Sequence, residues 1–218
     1  MRHVTGAVFA TFDKPVRMYR GETMAGIVTD ESRNDPGRGF VGGYYMQLHS
    51  LGPSFLATFL RPSAWGRDFA QIMERYGYMA GMWLVGEDMP QANNRITLHP
   101  SEKDQWGLPI PNVHFDDHRN DTAMREHAYA AGESVYAAVG ALRTFRVSPY
   151  PTSHNLGTAR MSARPEDGVV NEFGRAHDVP NLFVSDGSVM TTGAAANPTL
   201  TIVALAMRQA RYIAKIRD

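Results

Sequence analysis

Residues 181–202 read NLFVSDGSVMTTGAAANPTLTI, which predicts a strand, a turn and a helix start in succession. The apolar run from Asn181 to Ser185 is the strand, and Asp186-Gly187 ends it where ligands dock in α/β sheets. Asn197-Pro198-Thr199 then opens a helix expected to run from Pro198 to about Ile216, with proline at the first helical position. Its free amides and the positive end of its dipole point at whatever lies before them. Arg208, Arg211, Lys215 and Arg217 fall in the last turns, where cations favour the dipole. Upstream, residues 153–161 read SHNLGTARM. His154 there sits in an irregular, Gly- and polar-rich segment, where an imidazole is placed for function more often than for packing. On these residues alone two readings stand: a functional histidine with an anion-favouring helix start, or a structural histidine with an ordinary Asn cap.

Further out, short β-branched and aromatic runs at 4–12, 24–29, 40–49, 79–86, 94–99 and 109–116 predict strands, separated by Pro- and Gly-containing turns. Phe69, Ile72, Met73 and Tyr76 recur at helical spacing, which predicts a short helix over 66–78. A long helix is expected from Asp121 to Arg143, with an apolar stripe of Met124, Ala128, Ala131, Val135, Ala138 and Leu142. Residues 144–168 carry Pro149, Pro151 and Pro165 and read as irregular. Strands in a block with helices at intervals predict an α+β fold, an antiparallel sheet with helices on one side.

Composition narrows the function classes. The 218 residues hold 22 Lys plus Arg against 22 Asp plus Glu, so the formal net charge is zero. That leaves no global electrostatic footprint for nucleic acid or anionic lipid. Cysteine is absent, which excludes disulfides, thiolate nucleophiles, iron–sulfur clusters and cysteine zinc sites. No apolar run reaches the ~18 residues of a membrane helix. The first residues, MRHVTGAVF, lack the features of a signal peptide and read like the middle of a strand. The compartment stays unassigned.

Two candidate motifs fail on context. Gly37, Gly39 and Gly42 satisfy G-x-G-x-x-G, but a polar stretch leads in and a β-like run leads out. The pattern cradles phosphate only between an apolar strand and a helix, so 30–39 reads as a loop. His114, Asp116, Asp117 and His118 form a dense group of potential metal ligands. In an extended strand Asp117 points away from the two histidines, and a polar strand end followed by a helix entry is preferred, with no metal site. Gly187-Ser188 is followed by Val189-Met190, so the G-x-S-x-G elbow of a hydrolase is missing.

The three C-terminal motifs, SHNLGTARM at 153–161, NLFVSDGS at 181–188 and NPTLTI at 197–202, closely resemble the C-terminal signature of the glucose–methanol–choline (GMC) family of FAD-dependent oxidoreductases. Their order, their spacing and the finishing helix agree with it. The resemblance extends through NRITL at 94–98, GLPIP at 107–111 and the long helix, so it covers essentially the whole chain. The wording of the last third, Val169-Val170-Asn171 and Asp186-Gly187-Ser188 above all, is most similar to the sugar and sugar-acid, gluconate-type dehydrogenase branch. The family's opening strand–turn–helix with its true G-x-G-x-x-G is not in these residues. The resemblance therefore makes the chain the C-terminal portion of a flavoenzyme.

That resemblance implies a substrate-binding domain over 1–150. It implies the last strand and helix of an α/β FAD-binding domain within 151–218. It places His154 as general base and Asn197 as a second active-site residue that donates to the substrate oxygen. Asp186, Gly187, Asn197, Pro198 and Thr199 are implied contacts of the cofactor, FAD. The implied substrate is a small alcohol, sugar, sugar acid or polyol. The implied partners are the missing N-terminal FAD-domain portion and a cytochrome or small subunit as electron acceptor. Two other expectations stand beside this one: a truncated product inactive alone, and a sugar-binding module built on the sheet.

Overall fold

Strand β1 (Val4–Thr11) is buried at every position, and that decides how the sheet is covered. The computed structural model describes residues 1–60, 65–149 and 152–217. They form two compact units. One contains Val4–Glu87 and the stretch that follows Asn120. The other contains Met1–His3, Asp88–Arg119 and the stretch from Thr152 onward.

In the first unit, β1, β2 (Ile27–Val28), β3 (Tyr44–Leu48), β4 (Met79–Gly86) and β7 (Arg143–Val147) form one sheet in the order β2-β3-β4-β1-β7. Every pairing is antiparallel. Side chains alternate along β1. Val4, Val8 and Ala10 join Tyr44, Met46, Met82 and Leu84 on one face. Ala7 and Phe9 join Met79 and Trp83 on the other. Helix α3 (Arg119–Ala138) covers the first face with Met124, Ala128, Tyr129 and Tyr136. Helices α1 (Pro53–Leu60) and α2 (Arg67–Glu74) bring Leu56, Ile72 and Met73 to the second. Helices thus lie on both faces rather than on one side, as a strand buried at every position requires.

The α3 stripe differs from the expected one in its last turns. Met124 and Ala128 are buried, whereas Val135 is 36% and Leu142 64% exposed, and Tyr129, Gly132 and Tyr136 take the inner face. The helix stops short of Arg143 because Gly140 adopts φ +82°. The Gly140 amide donates to Ala137 O and the Ala141 amide to Tyr136 O, both at 3.0 Å. This is the paired-bond stop that a left-handed glycine makes. The chain is then free to enter β7, inside the stretch expected to be irregular, and to pair with β1.

In the second unit, β5 (Arg95–Lys103) and β6 (Pro109–His114) form an antiparallel hairpin with a register shift between Leu98 and Lys103. Asn94 closes its base by accepting from the Asp116 amide and donating to the Asp116 carbonyl, both at 2.9 Å. The C-terminal stretch runs 157–161 alongside 187–189, through Gly157 N–H to Gly187 O, Ala159 N–H to Ser188 O and Met161 N–H to Val189 O. Residues 181–185 make no strand; Phe183 forms one isolated bridge with Arg175. The expected strand is lost because neighbouring turns take its backbone groups. Ala176 donates to Leu182 O and Val184 to Gly174 O. Helix α4 (Thr199–Arg217) packs on this loop. Gln209, 7% exposed, donates to Phe173 O at 3.1 Å and Val184 O at 2.9 Å, and Tyr212 stacks on Phe173 with centroids 4.1 Å apart. No described helix is long and apolar enough to cross a membrane.

Candidate active site

The site is built within the second unit around the His154 ring. The Thr152 hydroxyl accepts the His154 amide at 2.9 Å and donates to Arg2 O at 2.6 Å. The Leu156 amide donates to Met1 O at 2.9 Å. Residues 152–156 are thereby tied along residues 1–3, so the His154 backbone is fixed on both sides of the ring. The ring is half-buried. Its Nδ1 lies 3.0 Å from Nδ1 of His3, and the two rings meet edge to face at 87°. Burial first, and the His3 ring second, hold the His154 pKa below the ordinary imidazole value.

His3 is buried and reaches further. Its Nε2 lies 3.0 Å from Gly193 O and 2.9 Å from Ala194 O. His3 (φ +70°) and Ala194 (φ +53°) both adopt left-handed backbone without being glycine. Such conformations cost of order 1–3 kcal/mol each and persist where the surroundings over-determine them. Asp88, 2% exposed, accepts the Arg2 amide through Oδ2 at 2.7 Å, and its Oδ1 has no partner among the described residues.

Three residues beyond Ala194, Asn197 and Thr199 are exposed while Pro198 is buried. The Pro198 carbonyl accepts the first helical bond, from Ile202 N–H at 3.0 Å. Proline is therefore the cap residue rather than the first helical one. The amides of Thr199, Leu200 and Thr201 face no intrahelical carbonyl. Asp186 is exposed, and its Oδ1 accepts the Ser188 amide at 2.8 Å, capping the single turn Gly187–Val189. The hydrogen bonds from Ser188 hold its carboxyl below the usual carboxylate range. Gly187 is buried, and a Cβ there would lie 2.8 Å from Leu156 Cδ2 and 2.9 Å from Asn155 O. Glycine is needed at 187 so that the loop after His154 can pack on it.

The expected site residues thus converge on one unit: His154 is bonded through His3 to the 193–194 segment, and its own loop packs on Gly187. An open cleft of 710 Å³ lies beside them, lined by Arg95, Gly157, Thr158, Arg160, Met190 and Thr191. That volume suits a cofactor-sized group, although neither His154 nor Asn197 lines it. Exposed amides at the α4 start and a half-buried imidazole are donor and acceptor groups that fit a flavin and an alcohol. His3, Thr152, Asp88, Gly193 and Ala194 are the site residues that sequence reasoning missed. The one signal in the sequence was a histidine directly before a mostly apolar strand. Of the two motifs set aside, Pro36–Arg38 is a 3₁₀ turn capped by Asp35, and His114 pairs with Asp116 at 3.1 Å on the surface.

Comparison with known proteins places the chain in a family. Residues 90–206 match the profile of the GMC oxidoreductase C-terminal region. The chain is 37% identical over 228 residues to 2-methyl-1,2-propanediol dehydrogenase of Mycolicibacterium austroafricanum, covering 99% of this chain and 41% of that protein. It is 27% identical to the gluconate 2-dehydrogenase flavoprotein of Pantoea cypripedii, covering 94% of this chain and 36% of that one. The chain thus spans about two-fifths of the length of these relatives. The crystal structure of pyridoxine 4-oxidase from Mesorbium loti shares the fold, with a TM-score of 0.60 at 17% identity over 97% of this chain and 43% of that one.

Proposed function

The chain belongs to the GMC oxidoreductase family, and we propose that it supplies the general base and the flavin-facing helix start of an FAD-dependent oxidation of CH–OH groups. The observation that carries the proposal is the half-buried His154 ring, which meets His3 through Nδ1 at 3.0 Å and has no other hydrogen-bonded ring atom among the described residues. The substrate is a sugar, sugar acid or polyol. The names of the relatives, a propanediol dehydrogenase and a gluconate dehydrogenase, support that class.

Cofactor binding is assigned to residues 151–218 and substrate binding to residues 1–150. His154 takes the hydroxyl proton of the bound carbinol, help worth roughly 10²–10⁴ in rate. Asn197 donates its side-chain amide to the same oxygen and holds it without competing for the proton. FAD, when bound, supplies the two-electron acceptor. The amides of Thr199 and its neighbours, at the positive end of α4, favour negative charge before them by roughly 0.3–2 kcal/mol. Asp186, Gly187 and Pro198 shape the loop and helix start that meet the cofactor. Reoxidation falls to an acceptor outside this chain: oxygen, a quinone, or a cytochrome or small subunit.

The test is reconstitution. The chain is co-expressed with the N-terminal FAD-binding half of the propanediol dehydrogenase relative, and dye reduction by a panel of diols, aldoses and sugar acids is measured. Flavin-dependent turnover of at least one polyol is the expected result. A flavin-loaded complex inert to every CH–OH compound would favour an inactive fragment. Sugar binding by the chain without turnover would favour a binding module.

A further inference from the structure

We propose that His3 is a positioning residue that keeps the hydrogen of neutral His154 on Nδ1, so that Nε2 of His154 carries the basic lone pair. This rests on the reading of His154 given above. His3 Nε2 lies within hydrogen-bond distance of two carbonyl oxygens, Gly193 O and Ala194 O. A carbonyl only accepts, so this nitrogen carries a hydrogen and donates. His3 is 4% exposed. A neutral imidazole has one hydrogen, which leaves Nδ1 of His3 bare. That bare nitrogen lies 3.0 Å from Nδ1 of His154. Two facing nitrogens at this distance need one hydrogen between them, and only His154 can provide it. Neutral His154 therefore has its hydrogen on Nδ1 and a bare Nε2.

The surrounding backbone is arranged to hold this relay. His3 and Ala194 both occupy the left-handed region, and the bond from His3 Nε2 to Ala194 O joins them. Asp88 fixes the Arg2 amide, and the Thr152 hydroxyl fixes the Arg2 carbonyl, so the residue before His3 is clamped from both sides. Among the described residues the His154 ring is held by a side chain 151 positions away. Without His3 the other tautomer presents an N–H to the substrate oxygen and cannot accept its proton.

The test uses the 218-residue chain labelled with ¹⁵N-histidine, studied at pH 8 by long-range ¹H–¹⁵N correlation. Expected is a protonated Nδ1 with a bare Nε2 for His154, and the reverse for His3. His3→Leu shifts His154 to the Nε2–H tautomer. His3→Asn, whose amide oxygen accepts in place of Nδ1, restores Nδ1–H. In the reconstituted enzyme, His3→Leu lowers kcat by roughly 10–10³-fold with KM little changed, and His3→Asn recovers most of the loss. A wild-type His154 with its hydrogen on Nε2, a doubly protonated His3, or a His154 tautomer unmoved by His3→Leu overturns the proposal. The spectra do not depend on turnover. A dispensable His154 would therefore refute its role as base while leaving the tautomer result intact.

Discussion

His49 gives the first unit a pH-dependent stability whose size follows from its surroundings. The residue is 8% exposed, its ring meets Trp83 edge to face at 4.6 Å, and its Nε2 has no hydrogen-bond partner among the described residues. Burial alone pushes its pKa from 6.5 down to about 3. In the unfolded chain His49 takes up a proton near the ordinary value, whereas in the fold it stays neutral. Below pH 6.5 the unfolded state binds the extra proton, so stability is full above that pH and falls as pH drops toward 3. Well below pH 6.5 each pH unit is worth about 1.4 kcal/mol; at pH 6.5 half of the unfolded chains are already protonated, so moving from there to pH 4.5 removes about 2.3 kcal/mol. For a chain of this size that is about 5–10 °C in Tm. The assay is urea unfolding at pH 7.5, 6.5, 5.5 and 4.5 for the wild type and His49→Phe. The wild type should lose about 2.3 kcal/mol more than the variant between pH 6.5 and 4.5. Curves that run parallel in pH would refute the reasoning, because the other titrating groups are common to both proteins.

Gln209→Leu leaves the Phe173 and Val184 carbonyls without their donor; it should destabilise by about 2–4 kcal/mol in urea unfolding, with loss of the near-UV dichroism of the stacked Phe173–Tyr212 pair. Gly140→Ala places a Cβ at φ +82° and should cost about 1–2 kcal/mol by the same measurement, whereas Gly77→Ala, with open space around it, should cost less. Amides of β5 and β6, a two-stranded hairpin with mostly exposed side chains, should exchange with deuterium well before those of β1, which is paired on both edges.

Local pattern carried the parts of the fold that are locally determined. The limits of β4 match the expected 79–86, and β1 falls one residue short of its expected end, because both are continuous apolar runs bounded by breakers. The expected strand at 24–29 shrinks to Ile27–Val28, an edge pair held by only two partners on β3. The strand β7 was missed although RTFRV alternates, because the helical stripe was carried through Gly140. Helix α1 was missed because a short segment of eight residues opening on Pro53, with polar Ser54 and Thr58 spaced among apolar residues, shows little sidedness. In the site, His154, Asp186, Gly187 and the Asn197-Pro198-Thr199 helix start were legible because they sit in contiguous motifs. His3 was not, since its role exists only once residues far apart in sequence are folded together.

The role assigned to His154 is tested by the rate at which a polyol bleaches bound flavin without oxygen in the reconstituted enzyme, compared between the wild type and His154→Ala. The expected result is a fall of roughly 10²–10⁴ in that rate with flavin occupancy unchanged. Equal rates in the two proteins, with flavin bound in both, would contradict it.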